Sequence, residues 1–139
     1  MTRPLYLHIG LQKTGTSYLQ GLFLGSVDAL REAGLDVYPT HRRAAYWLML
    51  DVRAGLRPHD PPQAREVLRD LPGNLDAAQG RAALVSEESF SPADDTQVQR
   101  LLAACSDREV HVVVTARDLG RQIPSVWQQG LQSGRAITF

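Results

Sequence analysis

At 139 residues the chain has room for one domain with a real core. Hydrophobic residues make up 43% and charged residues 22%, and no apolar run approaches the roughly 18 residues of a membrane span, which argues for a soluble globular protein without a spanning helix. The formal net charge is zero with no block of like charge, so the protein-wide field that draws proteins onto nucleic acid is missing and any anionic ligand must be held locally.

The first residues run straight into an alternating apolar stretch, without the basic start, apolar middle and small-residue cleavage site of a secretory leader. A cytoplasmic protein is expected. Leu5 to Gly10 has the length and apolar content of a buried strand, and Thr16 or Ser17 is suited to cap a helix after it. In that helix Leu19, Leu22, Phe23, Val27 and Leu30 recur at helical spacing, giving one face to pack on a sheet, and Gly34 supplies the stop. A short strand is expected at Asp36 to Tyr38, and helices at Ala44 to Arg53 and Pro62 to Leu71, with Pro58, Pro61 and Pro62 between them. The Pro- and Gly-rich stretch from Arg53 to Asn74 reads as a mobile excursion. Arg81 to Ser86 is the next strand, Asp94 or Asp95 caps a helix through Cys105, and Glu109 to Ala116 is the strongest β-branched run. Cys105 is the only cysteine and lies in an apolar run, which marks it as a buried structural thiol.

Strands alternating with helices predict one α/β domain over residues 1–139, a three-layer sandwich with a short parallel sheet. Ligands in such folds lie beyond the carboxyl ends of the strands, where the loops after Ile9 and after Thr115 fall. In the first loop, Gly10-Leu11-Gln12-Lys13-Thr14-Gly15-Thr16-Ser17, glycine permits close backbone approach, and the N-terminus of the following helix favours an anion. Lys13 is the single lysine among 15 basic residues, a compact ammonium in a field of arginines. The loop is not a Walker A motif, because its lysine precedes the second glycine instead of following it.

What Lys13-Thr14-Gly15-Thr16-Ser17 resembles, lying between a strand and a helix, is the 5′-phosphosulfate loop of sulfotransferases. The resemblance implies a P-loop-like sulfotransferase fold with 3′-phosphoadenosine 5′-phosphosulfate (PAPS) as donor, PAP as product, and no metal. It places Lys13 on the bridging oxygen and sulfonate of PAPS, and Thr14, Gly15, Thr16 and Ser17 around the 5′-phosphate. A lysine there is stabilising mainly in the transition state, when charge develops on the leaving phosphate oxygen. The family's second phosphate segment is matched by Arg117 at a strand end and Ser125 eight residues on, which the resemblance assigns to the 3′-phosphate. Pro124 suggests that the helix carrying Ser125 begins near Gly120 or Arg121, or bends there. The two segments are similar to bacterial sulfotransferase-like proteins rather than to the cytosolic animal enzymes.

Sulfuryl transfer to a hydroxyl or amine needs a general base, and family members use histidine or glutamate. Glu88 is the first candidate, with Glu87 and His41 as alternatives. His8 and His111 lie inside strands and read as core or sheet-face residues, and His59 carries no signal. The acceptor is expected to be a small molecule or a glycan. Sulfotransferases are generally much longer, so the resemblance implies a donor-binding part without the family's C-terminal half, whose site a second chain could complete. Two rival readings remain open: a P-loop-like kinase or nucleotidase using magnesium with Glu87, and a nucleotide-binding remnant without catalysis.

Overall fold

The computed structural model describes residues 2–105 and 108–135. Four strands, β1 (Pro4–His8), β2 (Leu35–Val37), β3 (Ala82–Ser86) and β4 (Glu109–Val113), form a parallel sheet in the order β2-β3-β1-β4. The register aligns His8 with Ser86 on one side and with Val113 on the other, so the carboxyl ends of β1, β3 and β4 finish in one row. Among the described residues six helices flank the sheet: α1 (Thr16–Gly25), α2 (Val27–Glu32), α3 (Arg42–Val52), α4 (Val67–Ala77), α5 (Asp95–Ala103) and α6 (Leu119–Gln132).

Side-chain alternation along the central strands sets the two faces. Leu5 and Leu7 of β1 and Ala83 and Val85 of β3 pack with Leu48 and Val52 of α3, Leu68 and Leu71 of α4, and Leu101 of α5. Fully burying one such leucine is worth about 1.5–3 kcal/mol, so this face dominates the stability of the domain. On the opposite face Tyr6 stacks on His111 with ring centroids 5.4 Å apart, and Phe23 of α1 meets the His8 ring edge-on. The loop after β1 therefore leads to one face and the loop after β3 to the other. A crevice opens between such strand ends, and the candidate site lies there.

Several elements depart from the sequence reading for local reasons. The long helix expected after the first loop is two helices divided at Ser26, whose N–H caps the Phe23 carbonyl. Leu22, expected on the packed face, is half exposed, and Thr16 is the buried residue of α1. The expected excursion at 53–74 is divided: residues 54–63 are largely exposed, whereas the stretch from Ala64 onward is packed. A 3₁₀ turn at Pro62–Arg65 leads into α4, which puts Val67, Leu68 and Leu71 in the core and continues through Pro72. Asp94 caps α5 in a reciprocal capping box with Gln97. Strand β4 ends at Val113, but Thr115 continues alongside the first loop. Leu11 N–H donates to Thr115 O at 2.7 Å, and Thr115 N–H donates to Gly10 O at 2.6 Å. Helix α6 starts at Leu119, with Asp118 accepting from Arg121 N–H, so Pro124 lies inside the helix.

Cys105 is buried, and burial pushes its thiol up to about 11 against the opposing charge of Arg108. Among the described residues no helix is long and apolar enough to cross a membrane. Ile137, Thr138 and Phe139 lie outside the described residues.

Candidate functional site

The loop between β1 and α1 is built on left-handed backbone at Gly10 (φ 98°), Lys13 (φ 64°) and Gly15 (φ 87°). Gly10 is demanded sterically as well: a Cβ there would meet Cα and O of Glu88 at 3.1 Å. The loop and the end of β3 thus touch backbone to backbone. Lys13 holds its conformation without a glycine's freedom, and such an outlier is a mark of functional sites.

Neither Thr16 nor Ser17 caps α1. The N-cap is Gly15, and no side chain accepts from the first turn. Among the described residues the N–H groups of Thr14, Gly15, Thr16 and Ser17 meet no acceptor. Together with the positive end of the helix, they form an open turn of the kind that favours an anion. The Thr16 hydroxyl, which is buried, donates instead to Oε2 of Glu88.

Glu88 opens a 3₁₀ turn, Glu88–Phe90, directly after β3. Its carboxylate faces the start of α1, and it lines one cleft of about 480 Å³ together with Lys13, Gln12 and Tyr46, and with Val126 and Gln129 of α6. The other two base candidates point elsewhere. Glu87 caps the 3₁₀ turn by accepting from Ser89 N–H and lines a separate apolar pocket with Phe23, Tyr38 and Arg42. Burial raises the pKa of its carboxyl above the usual range, and the bonds from Ser89 partly oppose that shift. His41 is the N-cap of α3, where Nδ1 accepts from Ala44 N–H at 3.2 Å. It lines a groove with Glu66 and Asp70, away from Lys13.

The second segment is placed unevenly. Arg117 is exposed and donates from Nη1 to the Lys13 carbonyl at 3.4 Å, which sets its guanidinium against the first loop. The Ser125 hydroxyl donates back along α6 to the Arg121 carbonyl at 2.9 Å, and it is not among the groups lining the Lys13 cleft. Asp118 occupies the N-terminus of α6 and lies 3.8 Å from the Arg121 guanidinium, so this helix end is already supplied with a carboxylate. The open helix end is that of α1.

Two residues escaped the sequence reading. Gln122 of α6 is buried, and its Nε2 donates to the Gln12 carbonyl at 3.3 Å, tying α6 to the loop. His8, expected as a core residue, is indeed buried at 3% exposure but sits in polar contacts. Its Nδ1 lies 2.7 Å from Ser86 Oγ and its Nε2 3.2 Å from Thr115 Oγ1, and Thr115 Oγ1 lies 2.9 Å from Thr14 Oγ1. Burial lowers the His8 pKa, and the Glu88 carboxylate acts against that shift. A histidine inside a strand carries no sequence mark of such contacts, because they depend on the register of two partner strands.

No protein-family model matches the chain, and neither a curated protein nor a solved structure matches it.

Proposed function

We propose that this chain is a sulfotransferase-type domain of P-loop-like fold that takes PAPS as donor and passes its sulfuryl group to a hydroxyl or amine of a small molecule or glycan. The observation that carries the reading is the meeting of Lys13 and Glu88 in one cleft at the open N-terminus of α1. A sulfuryl donor needs this combination: N–H groups and a helix end for a 5′-phosphate, a cation for the leaving oxygen, and a base for the acceptor proton.

In this reading the N–H groups of Thr14 to Ser17 hold the 5′-phosphate, and Arg117, whose guanidinium lies against the same loop, takes the 3′-phosphate. The acceptor oxygen or nitrogen bonds to sulfur as the bond from sulfur to the phosphate oxygen breaks. Lys13 balances the charge gathering on that oxygen, and Glu88 takes the acceptor's proton. The Thr16 hydroxyl, donating to Glu88 Oε2, fixes the carboxylate at the loop. No metal is required for this scheme.

PAPS turnover tests the reading, followed as PAP release with a panel of hydroxyl and amine acceptors. Lys13→Ala should lower the rate by about 10² or more, because removing one such charge contact typically does so. A rate within about threefold of wild type, far below that loss, would remove Lys13 from the mechanism. One observation favours a non-catalytic nucleotide-binding module instead: Ser125 is engaged with Arg121 and does not join Arg117 in a clamp. That reading requires PAP binding without PAPS turnover.

A further inference from the structure

Four hydroxyl and imidazole groups at the strand ends form a chain whose direction is decided by proton counting. Thr14 Oγ1 donates its one proton to the Leu11 carbonyl at 2.6 Å. In its 2.9 Å contact with Thr115 it must therefore accept, which makes Thr115 the donor. The Thr115 hydroxyl, its proton committed, can only accept from His8 Nε2 at 3.2 Å. His8 is then protonated at Nε2, and in the neutral ring, which burial favours, its bare Nδ1 accepts from the Ser86 hydroxyl at 2.7 Å. Each donor and acceptor is used once, and the imidazole is neutral.

We infer that His8 is a positioning residue: as the neutral Nε2–H tautomer it holds Thr14 through Thr115, and so sets the turn from Leu11 to Thr14 in which Lys13 takes its left-handed conformation. The relay reaches the loop from beneath, since His8 is buried between β3 and β4 while Lys13 is exposed above it. Phe23 covers the ring edge-on, and Glu88 is the charged group that acts on it. An imidazolium would carry a proton on Nδ1 and force the Ser86 hydroxyl to turn away, so burial and the relay both favour the neutral ring. The relevance of this relay to donor binding rests on the proposed function, whereas the relay itself is measurable without any ligand.

The test is NMR of the full chain with ¹⁵N-labelled histidine, joined to three variants. His8 should show the Nε2–H tautomer at neutral pH. His8→Gln keeps an amide donor near the Nε2 position, His8→Phe keeps the volume without a donor, and Thr115→Val cuts the next link with the imidazole untouched. The Leu11 amide, which donates to the Thr115 carbonyl, is the reporter. Its hydrogen exchange should be roughly tenfold faster in His8→Phe and Thr115→Val and within about threefold of wild type in His8→Gln. PAP affinity should fall in the same order. If His8→Phe does not fold, Thr115→Val decides. An Nδ1–H tautomer, or unchanged Leu11 exchange in Thr115→Val, overturns the relay. Failure of wild type to bind PAP, with tautomer and exchange as expected, overturns the donor assignment and leaves the relay standing.

Discussion

Replacing Gly10 with alanine separates two physical demands that meet at one position. The backbone there has φ 98°, and an added Cβ would lie 3.1 Å from both Cα and O of Glu88 and 3.2 Å from Gln12 N. Left-handed strain contributes on the order of 1–3 kcal/mol of destabilisation, and overpacking against backbone that cannot rotate away adds about 1–3 kcal/mol. Gly15→Ala is the matched control, since Gly15 also has positive φ (87°) but nothing lies within 4 Å of its Cβ. The difference between the two variants is then the steric part, which at about 4 °C per kcal/mol for a domain of this size gives roughly 4–12 °C in Tm. Thermal unfolding followed by circular dichroism reads that difference. Gly10→Ala should also push Glu88 away from Thr16 and lower PAPS turnover, whereas Gly15→Ala should keep the pairing. Equal Tm losses in the two variants would refute the claimed close approach of the loop to Glu88.

Glu88→Gln should lower turnover by about 10² with PAP affinity unchanged or tightened, whereas His41→Ala should leave turnover intact and lose about 1 kcal/mol of stability through the lost α3 cap. Arg117→Ala should weaken PAP binding by roughly 10- to 100-fold, as loss of a charged hydrogen bond predicts. Ser125→Ala should weaken it far less, because that hydroxyl is bonded to Arg121 O. Two buried groups give opposite pH dependences. The His8 pKa is lowered below 6.5, so its contribution is complete above that pH and is lost as pH falls toward the folded value. The Glu87 pKa is raised above 4.5, so its contribution is present below that pH and is lost as pH rises through the folded value. Tm should therefore climb more steeply with pH between 4.5 and 6.5 in Glu87→Gln than in wild type, and less steeply in His8→Gln. Parallel curves in all three proteins would contradict these assignments.

Elements governed by short-range pattern were legible before the structure. The apolar run of β1, the strand at 82–86, the Asp94 cap and the β-branched β4 are all local signals, and each formed within a few residues of its expected bounds. Features set by tertiary packing were not. The helix expected at Pro62 to Leu71 runs on to Ala77, because Leu68, Leu71 and Leu75 share a buried face that carries α4 through Pro72. The break at Ser26 follows Gly25, a local signal masked by the apolar spacing that runs on through Val27 and Leu30. The pattern of Lys13 to Ser17 drew attention to the loop, yet its side chains are held by Thr115 and Glu88, which are distant in sequence. Choosing Glu88 over Glu87 from sequence was a choice between neighbours. The 3₁₀ turn separates them by sending one carboxylate to Thr16 and the other to Ser89 N–H.

Whether the Lys13 loop and Arg117 form a site for a 3′-phosphorylated nucleotide is decided by calorimetric titration of the chain with PAP, AMP and ATP, with and without magnesium. PAP should bind at least about tenfold tighter than AMP, the weight of one charge-assisted hydrogen bond at the 3′-phosphate, and magnesium should leave this preference unchanged. Equal affinity for PAP and AMP, or tight binding of ATP only with magnesium, would contradict it.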